Sequence, residues 1–155
     1  MSSVATLLEQ LTDGPLPMPL PELEVVPDHM QIFMFSAITW NRHHVHYSKD
    51  AAVAEGLPDV VVQRALLGDY LARAVGDWAG DEADLRELSW KVRSSATPNA
   101  RLRCQGSVTA VHVVEGATFA DCELRIVRDD DELVASGSAR LELVASGASS
   151  DDGLQ

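Results

Sequence analysis

The chain has 155 residues, which is enough for one domain with a single sizeable core. Its net charge of −12 argues against nucleic acid and anionic membrane surfaces, because phosphate groups require a basic face. No apolar run approaches the roughly 20 residues of a membrane-spanning helix. The N-terminus lacks the basic and apolar regions of a signal peptide, and the two cysteines have no CxxC spacing. We therefore expect a cytoplasmic protein with reduced thiols.

The N-terminal residues form a predicted arm. Residues 1–19 hold a short amphipathic segment with Leu7, Leu8 and Leu11, and the proline-rich stretch GPLPMPLPELEVVP begins within them. We expect this arm to lie along the domain without joining its core. A single domain is predicted over residues 20–145. The polar composition of SGASSDDGLQ predicts a disordered tail over residues 146–155.

The middle of the chain predicts one strand and two helices. QIFMFSAI, from Gln31 to Ile38, is apolar on both faces, as expected of a strand covered on both sides. One or two helical turns are predicted from Lys49 to Glu55, followed by a glycine that stops them. A long helix wrapped by protein follows, because apolar residues recur every four positions at Val62, Leu66, Tyr70, Ala74 and Trp78. Gly68 costs about 1 kcal/mol there relative to alanine, which predicts a close packing contact.

After the long helix the apolar period changes to two. Four long antiparallel strands are predicted, separated by the turn-like segments SSATPNA, VEGA and RDDDE. Helices do not alternate with these strands, so a doubly wound fold is excluded. The element order predicts an α+β domain in which one antiparallel sheet wraps a long central helix.

The segment FSAITWNRHHVHYSKD carries three of the five histidines, namely His43, His44 and His46. They are candidate metal ligands, acid–base groups or structural side chains. A zinc site is conceivable, since histidine is the commonest ligand in such sites. Adjacent residues of a short loop point in different directions, however, and no cysteine or glutamate motif completes a ligand set. We predict no metal.

The histidine segment and the element order together resemble the MaoC-like hydratase/dehydratase family of the hotdog fold, over roughly residues 20 to 143. Asn41-Arg42-His43-His44-Val45-His46 stands where that family has Asp-x-Asn-Pro-x-His before a short helix and the central helix. FSAITWNRHHVHY and LPDVVVQRALL are similar to a branch that hydrates dicarboxylic acyl-CoA thioesters. KDAAVAEGLPDVVV and DWAG are similar to a branch that hydrates steroid side-chain enoyl-CoA thioesters with paired unlike subunits.

The resemblance implies roles for particular residues. His46 takes the place of the family's catalytic histidine and acts as base and acid, and Asn41 replaces the family's aspartate and orients the water. Backbone N–H groups near Gln63, Arg64 and Ala65 polarise the thioester carbonyl at the start of the central helix. His43 and His44 help to position the water or substrate. The side chain of Arg64 either contacts a coenzyme A phosphate or pairs with Asp59 or Asp69.

Three functions remain open. The first is an enoyl-CoA hydratase (3-hydroxyacyl-CoA dehydratase) that needs no cofactor besides the coenzyme A of its substrate. The second is a hotdog subunit that has lost catalysis and completes the site of an active partner, because Asn41 cannot accept a proton as aspartate does. The third is a thioesterase, for which Asp69 is the one candidate carboxylate at the centre of the helix. In each case we expect a homodimer or a heteromer with a second hotdog subunit.

Overall fold

The computed structural model describes residues 6–144, and these form one antiparallel sheet packed on one long helix. The helices are α1 (Leu7–Asp13), α2 (His29–Thr39), α3 (Lys49–Ala54) and α4 (Arg64–Ala79), with short 3-10 turns at His44–His46 and Gly80–Glu82. The strands are β1 (Met18–Pro19), β2 (Leu23–Val25), β3 (Ala83–Val92), β4 (Leu102–Val114), β5 (Ala117–Arg128) and β6 (Leu133–Leu143). The α+β prediction, its four long strands and the helix at 49–55 are confirmed.

The sheet has two different edges. Its order is β1-β4-β5-β6-β3, and β2 pairs with β4 alongside β1. The two short N-terminal strands therefore cover one edge of the sheet. Strand β3 forms the other edge and, among the described strands, pairs with β6 alone. An edge strand of ten residues offers a row of backbone groups to another chain.

The central helix α4 lies against the inner face of this sheet. Its buried residues include Leu67, Leu71 and Val75, each at most 1% exposed. A Cβ added at Gly68 would lie 2.3 Å from Cζ2 of Trp90, so the helix and the edge strand touch at this glycine. The predicted close contact is confirmed. The helix begins later than the apolar repeat suggested, because the N–H of Val62 donates to the carbonyl of Ala96 in an extended segment.

The predicted strand from Gln31 to Ile38 is wrong, because this segment forms helix α2. The carboxylate of Asp28 caps the helix and accepts a hydrogen bond from the N–H of Gln31 at 2.7 Å. Only Ile32 and Ser36, one turn apart, are buried on it. The opposite face is apolar and exposed, at Met30 (65%), Phe33 (52%), Met34 (45%) and Ile38 (79%). The segment is thus apolar all round, and residues 6–144 leave its outer face uncovered.

The N-terminal arm joins the core, contrary to expectation. Leu7 and Leu11 are 5% and 2% exposed and belong to the main hydrophobic cluster. Met18 and Pro19 pair with Val108 and Ser107 of β4. The amphipathic turn of α1 buries its leucine side and so gains apolar contact that a peripheral arm would lack. The predicted tail over residues 146–155 lies outside the described residues.

Candidate functional site

The histidine loop is held against the segment that leads into α4. The N–H of Val61 donates to the carbonyl of Val45 at 3.0 Å, and Nδ1 of His46 lies 2.7 Å from the carbonyl oxygen of Val61. Val45 and Val61 are buried together with Ala52 of α3 in a small second cluster. These contacts fix the loop next to the N-terminus of the central helix, since Val61 lies three residues before Arg64, where the helix begins.

The bond to Val61 sets the chemistry of His46. A carbonyl oxygen only accepts hydrogen bonds, so Nδ1 must carry the proton and Nε2 is then the basic nitrogen of the neutral ring. Nε2 makes no hydrogen bond to any residue between 6 and 144. The side chain is half-buried, with its orientation fixed on one side. This is the arrangement of an imidazole that can accept a proton from a water or a substrate.

Asn41 begins the same loop in a different setting. Its backbone N–H donates to the carbonyl of Ser36 at 2.9 Å, just after Trp40, which ends α2 in the left-handed region with φ of 55°. Its Oδ1 accepts a hydrogen bond from the N–H of His43 at 3.2 Å. The oxygen of the carboxamide therefore shapes the loop, and its NH2 group is the donor that remains for a ligand.

Asn41 lines a small cleft between α2 and the loop. The cleft has a volume of about 180 Å³, and its walls are formed by Phe33, Ser36, Ala37, Trp40, Asn41, Arg42 and Tyr47. The lining residues do not include His46. A larger cleft of about 780 Å³ lies over strands β3 to β6, but it holds none of the predicted site residues. The cleft at Asn41 thus adjoins the histidine loop.

Gln63 stands at the start of α4 and is 1% exposed. Its Nε2 donates to the carbonyl of Ile32 at 2.7 Å and to Oγ of Ser36 at 2.8 Å, both on α2. Its Oε1 is buried without a hydrogen-bond partner among the described residues. A second bond between the two helices runs from the hydroxyl of Tyr70 to Oε1 of Gln31 at 2.8 Å. Sequence reasoning missed Ser36, which receives the Gln63 amide.

The N-terminus of α4 carries free backbone donors. Gln63 occupies the cap position and no side chain caps the first turn of this 16-residue helix. The first N–H groups of a helix have no partner within it, and the helix dipole makes this end positive. Arg64 and Ala65 are exposed at this end. The predicted group Gln63, Arg64 and Ala65 therefore includes one buried side chain and two exposed residues.

The side chain of Arg64 is engaged by the edge strand. Its Nη2 donates to the carbonyl of Trp90 at 3.0 Å, its guanidinium carbon lies 4.6 Å from the Trp90 ring centroid, and Trp90 Nε1 donates to the Arg64 carbonyl at 2.8 Å. Pairing with Asp59 or Asp69 is therefore wrong. Asp59 instead lies 3.4 Å from Lys49, and Asp69 is exposed on the helix surface.

His43 and His44 do not form a ligand set with His46. The rings of His43 and His46 are 5.9 Å apart between centroids, and the ring of His44 meets Tyr47 edge-on at 5.4 Å. Both His43 and His44 are exposed. Within the described range of 6–144, no three histidine, cysteine, aspartate or glutamate side chains come together as a metal site.

The two cysteines lie on the sheet, away from this loop. Burial raises the pKa of the Cys104 and Cys122 thiols to about 12, so both are neutral at physiological pH. A neutral buried thiol is a poor nucleophile. No helix in the described part of the chain is long and apolar enough to cross a membrane.

Comparison with known proteins places the chain in a family. The hydroxyacyl-thioester dehydratase type 2 family matches residues 14–98, which is more than half of the chain. The 3-oxo-4,17-pregnadiene-20-carboxyl-CoA hydratase beta subunit of Mycobacterium tuberculosis is 30% identical over 93 residues, which cover 60% of this chain and 72% of that protein.

Solved structures share the fold. A chain of the ChsH1-ChsH2 complex from Mycobacterium tuberculosis matches with a TM-score of 0.74 and 23% identity, over 84% of this chain and 98% of that one. The MaoC-like dehydratase from Rhodospirillum rubrum matches with a TM-score of 0.75 and 12% identity, over 86% and 94% of the two chains. The chain is thus an α+β hotdog domain of the hydroxyacyl-thioester dehydratase type, and it belongs to the MaoC-like hydratase/dehydratase family.

Proposed function

We propose that this chain is a hydratase subunit that adds water across the α,β double bond of an enoyl-CoA thioester, or catalyses the reverse dehydration. The observation that carries the proposal is the hydrogen bonding of the His46 ring. The bond from Nδ1 to Val61 leaves Nε2 as a basic nitrogen without a partner in the described chain, beside the start of α4. A base in this position can take a proton from water.

The reaction balances with one histidine. Nε2 of His46 takes a proton from water while the water oxygen forms a bond to the β-carbon of the substrate. The electrons of the double bond move toward the thioester carbonyl, whose oxygen gains negative charge. The protonated His46 then returns its proton to the α-carbon, so no net proton is consumed. No metal or redox group takes part in these steps.

Two groups support the base. The backbone N–H groups around Gln63 to Ala65 face the position of the developing oxyanion in this proposal, and the positive end of α4 strengthens them. The NH2 group of Asn41 holds the oxygen of the attacking water, because Oδ1 is engaged by the N–H of His43. His43 and His44 lie at the rim, as exposed side chains that can contact substrate.

A second candidate function is that of a non-catalytic hotdog subunit that completes the site of an active partner. Asn41 favours it, because an amide cannot accept the proton that the family's aspartate can. The related Mycobacterium tuberculosis protein is itself named as a beta subunit. In either case we propose that a second hotdog chain, identical or unlike, pairs with this one through the free edge β3.

The two functions are separated by one experiment. The purified chain is incubated with a panel of enoyl-CoA thioesters that includes branched dicarboxylic and steroid side-chain forms, and the loss of enoyl absorbance is followed. Each substrate is tested with the chain alone and with candidate partner subunits, with and without a chelator. We expect hydration that requires His46 and is unaffected by the chelator. Hydration that needs this chain but survives replacement of His46 would favour the partner-subunit function, and no hydration in any combination would refute both.

A further inference from the structure

We propose that Gln63 is a positioning residue that ties the N-terminus of the central helix to Asn41 through Ser36. The inference rests on the proposed hydratase function and assigns to the Gln63 side chain a role other than substrate contact. Its basis is a continuous set of hydrogen bonds from α4 through α2 into the histidine loop.

Ser36 connects the two ends of this set. Its hydroxyl oxygen accepts the Gln63 amide at 2.8 Å, and its carbonyl oxygen accepts the N–H of Asn41 at 2.9 Å. Ser36 is 5% exposed and Gln63 is 1% exposed, so water does not compete readily for these bonds. A shift of Gln63 therefore moves Ser36, whose carbonyl accepts the hydrogen bond from the Asn41 backbone.

The same amide holds a second point on α2. Nε2 of Gln63 also donates to the carbonyl of Ile32 at 2.7 Å, one helical turn before Ser36. Two contacts one turn apart fix both the distance and the rotation of this part of α2 relative to α4. His46 is hydrogen-bonded to Val61, two residues before Gln63. The base and Asn41 are therefore both held in place by the N-terminal end of α4.

The two hydrogen bonds donated by Gln63 are offset in part by one unpaired acceptor. Its Oε1 is buried without a partner among residues 6–144, and a buried unpaired acceptor is costly. The amide orientation is fixed by the Ile32 carbonyl, since turning the amide over would place two acceptor oxygens against each other. An apolar side chain of similar length would remove the unpaired oxygen. What the amide supplies is therefore the pair of bonds to α2, as a role in geometry requires.

Gln63→Met is the test variant and Tyr70→Phe is its matched control. Tyr70 makes a separate polar bond between α4 and α2, but it bonds to Gln31 near the beginning of α2, far in sequence from Asn41. Each substitution removes a hydrogen-bond donor, at the cap of α4 or within it, and roughly keeps the size of the side chain. Ser36→Ala is a second variant that removes only the hydroxyl and should fold even if Gln63→Met does not.

The first readout is kinetic. Gln63→Met and Ser36→Ala should each lower kcat about tenfold with KM within about twofold, as expected for the loss of orientation without loss of binding. In an Asn41→Ala background the same substitutions should have little further effect, because residues that act through one another are not additive. Equal losses of kcat in both backgrounds, or a loss of the same size in Tyr70→Phe, would overturn the proposal.

The second readout does not depend on activity. Hydrogen exchange of the Asn41 backbone N–H is followed by NMR in each single variant, with Asn41 itself intact. It should become about tenfold faster in Gln63→Met and Ser36→Ala and stay unchanged in Tyr70→Phe. Unchanged exchange in the first two variants would refute the positioning role even in an active enzyme. If the wild-type chain hydrates no thioester, the proposed function fails, and the exchange rates still decide whether Gln63 holds Asn41 in place.

Discussion

Replacement of His46 by asparagine separates its proposed chemistry from its structural contact. An asparagine amide can place Nδ2 where the imidazole has Nδ1, so the hydrogen bond to the Val61 carbonyl at 2.7 Å can be kept. The variant has no counterpart to Nε2 and therefore no base. His46→Ala removes both the base and the bond.

The magnitudes follow from these two losses. General acid–base catalysis contributes about 10²–10⁴ in rate, so turnover should fall by about that factor in both variants. One hydrogen bond contributes about 0.5–1.5 kcal/mol net, so His46→Ala should lower the free energy of unfolding by about 1 kcal/mol. For a domain of this size that corresponds to a fall in Tm of about 2–4 °C. His46→Asn should keep a Tm close to that of the wild type.

The assay combines turnover on the best enoyl-CoA thioester with thermal unfolding of the same preparations. His112→Asn is the control, since it makes the same chemical change on β4, where the ring stacks on Phe119 at 5.8 Å between centroids. It should leave turnover unchanged. Near wild-type turnover in His46→Asn would show that His46 is not the base, and a loss of turnover accompanied by unfolding would show that its role is structural.

Four further predictions concern other features of the chain. Asn41→Asp should be tolerated, with activity equal to or above wild type, because one carboxylate oxygen can accept the N–H of His43 and the other can orient the water by accepting its O–H in place of the amide donor. A loss as large as that of Asn41→Ala would show that the amide donor is essential. Light scattering should give a dimer, or a complex with an unlike hotdog chain, and an active monomer at nanomolar concentration would contradict this. Gly68→Ala should cost about 1–3 kcal/mol of stability despite alanine's better helix propensity, because the added Cβ would meet the Trp90 ring. A gain in stability measured by calorimetry would contradict that contact. Burial raises the pKa of Cys104 and Cys122 to about 12, against about 8.5 in the unfolded chain. The stability linked to these neutral thiols is complete below about pH 8.5 and is lost as the pH rises toward 12, so less denaturant should be needed to unfold the protein over this range. An unfolding midpoint that does not change with pH would exclude the effect.

Periodicity predicted most of the fold because burial on one face leaves a direct trace in a sequence. Apolar residues repeat every four positions in α4 and alternate with polar residues in β3 to β6, because each element packs one face against the same core. Gly68 was informative for the same reason, since a glycine in the middle of a helix needs a packing cause. The register of the strands and the edge position of β3 depend on contacts between distant residues, which no local pattern records.

Helix α2 shows where periodicity failed. A helix with one buried face normally carries polar residues on the other, but α2 has apolar residues on its exposed face. The resulting run lacks any period and resembles a strand covered on both sides. The signal that could have identified the helix was local, namely Asp28 placed to cap the N–H of Gln31.

The candidate site was predictable only in part. The loop motif pointed to Asn41 and His46, but the partners that orient them are a backbone carbonyl of Val61 and the serine Ser36. A carbonyl carries no side-chain signature, and a single serine in an apolar run is not distinctive. The predicted pairing of Arg64 with Asp59 or Asp69 was wrong for a related reason, because its aromatic partner lies 26 residues later on the edge strand.

The exposed face of α2 links assembly to the site. The helix His29–Thr39 contains no aspartate, glutamate, lysine or arginine, although the chain as a whole carries a net charge of −12. Phe33 on this face and Trp40 at its end are 52% and 76% exposed, and both also line the cleft that contains Asn41. A large exposed apolar patch is typical of an interaction surface. A partner chain that covers Phe33 and Trp40 covers two walls of the cleft at Asn41, so we expect association to close this cleft.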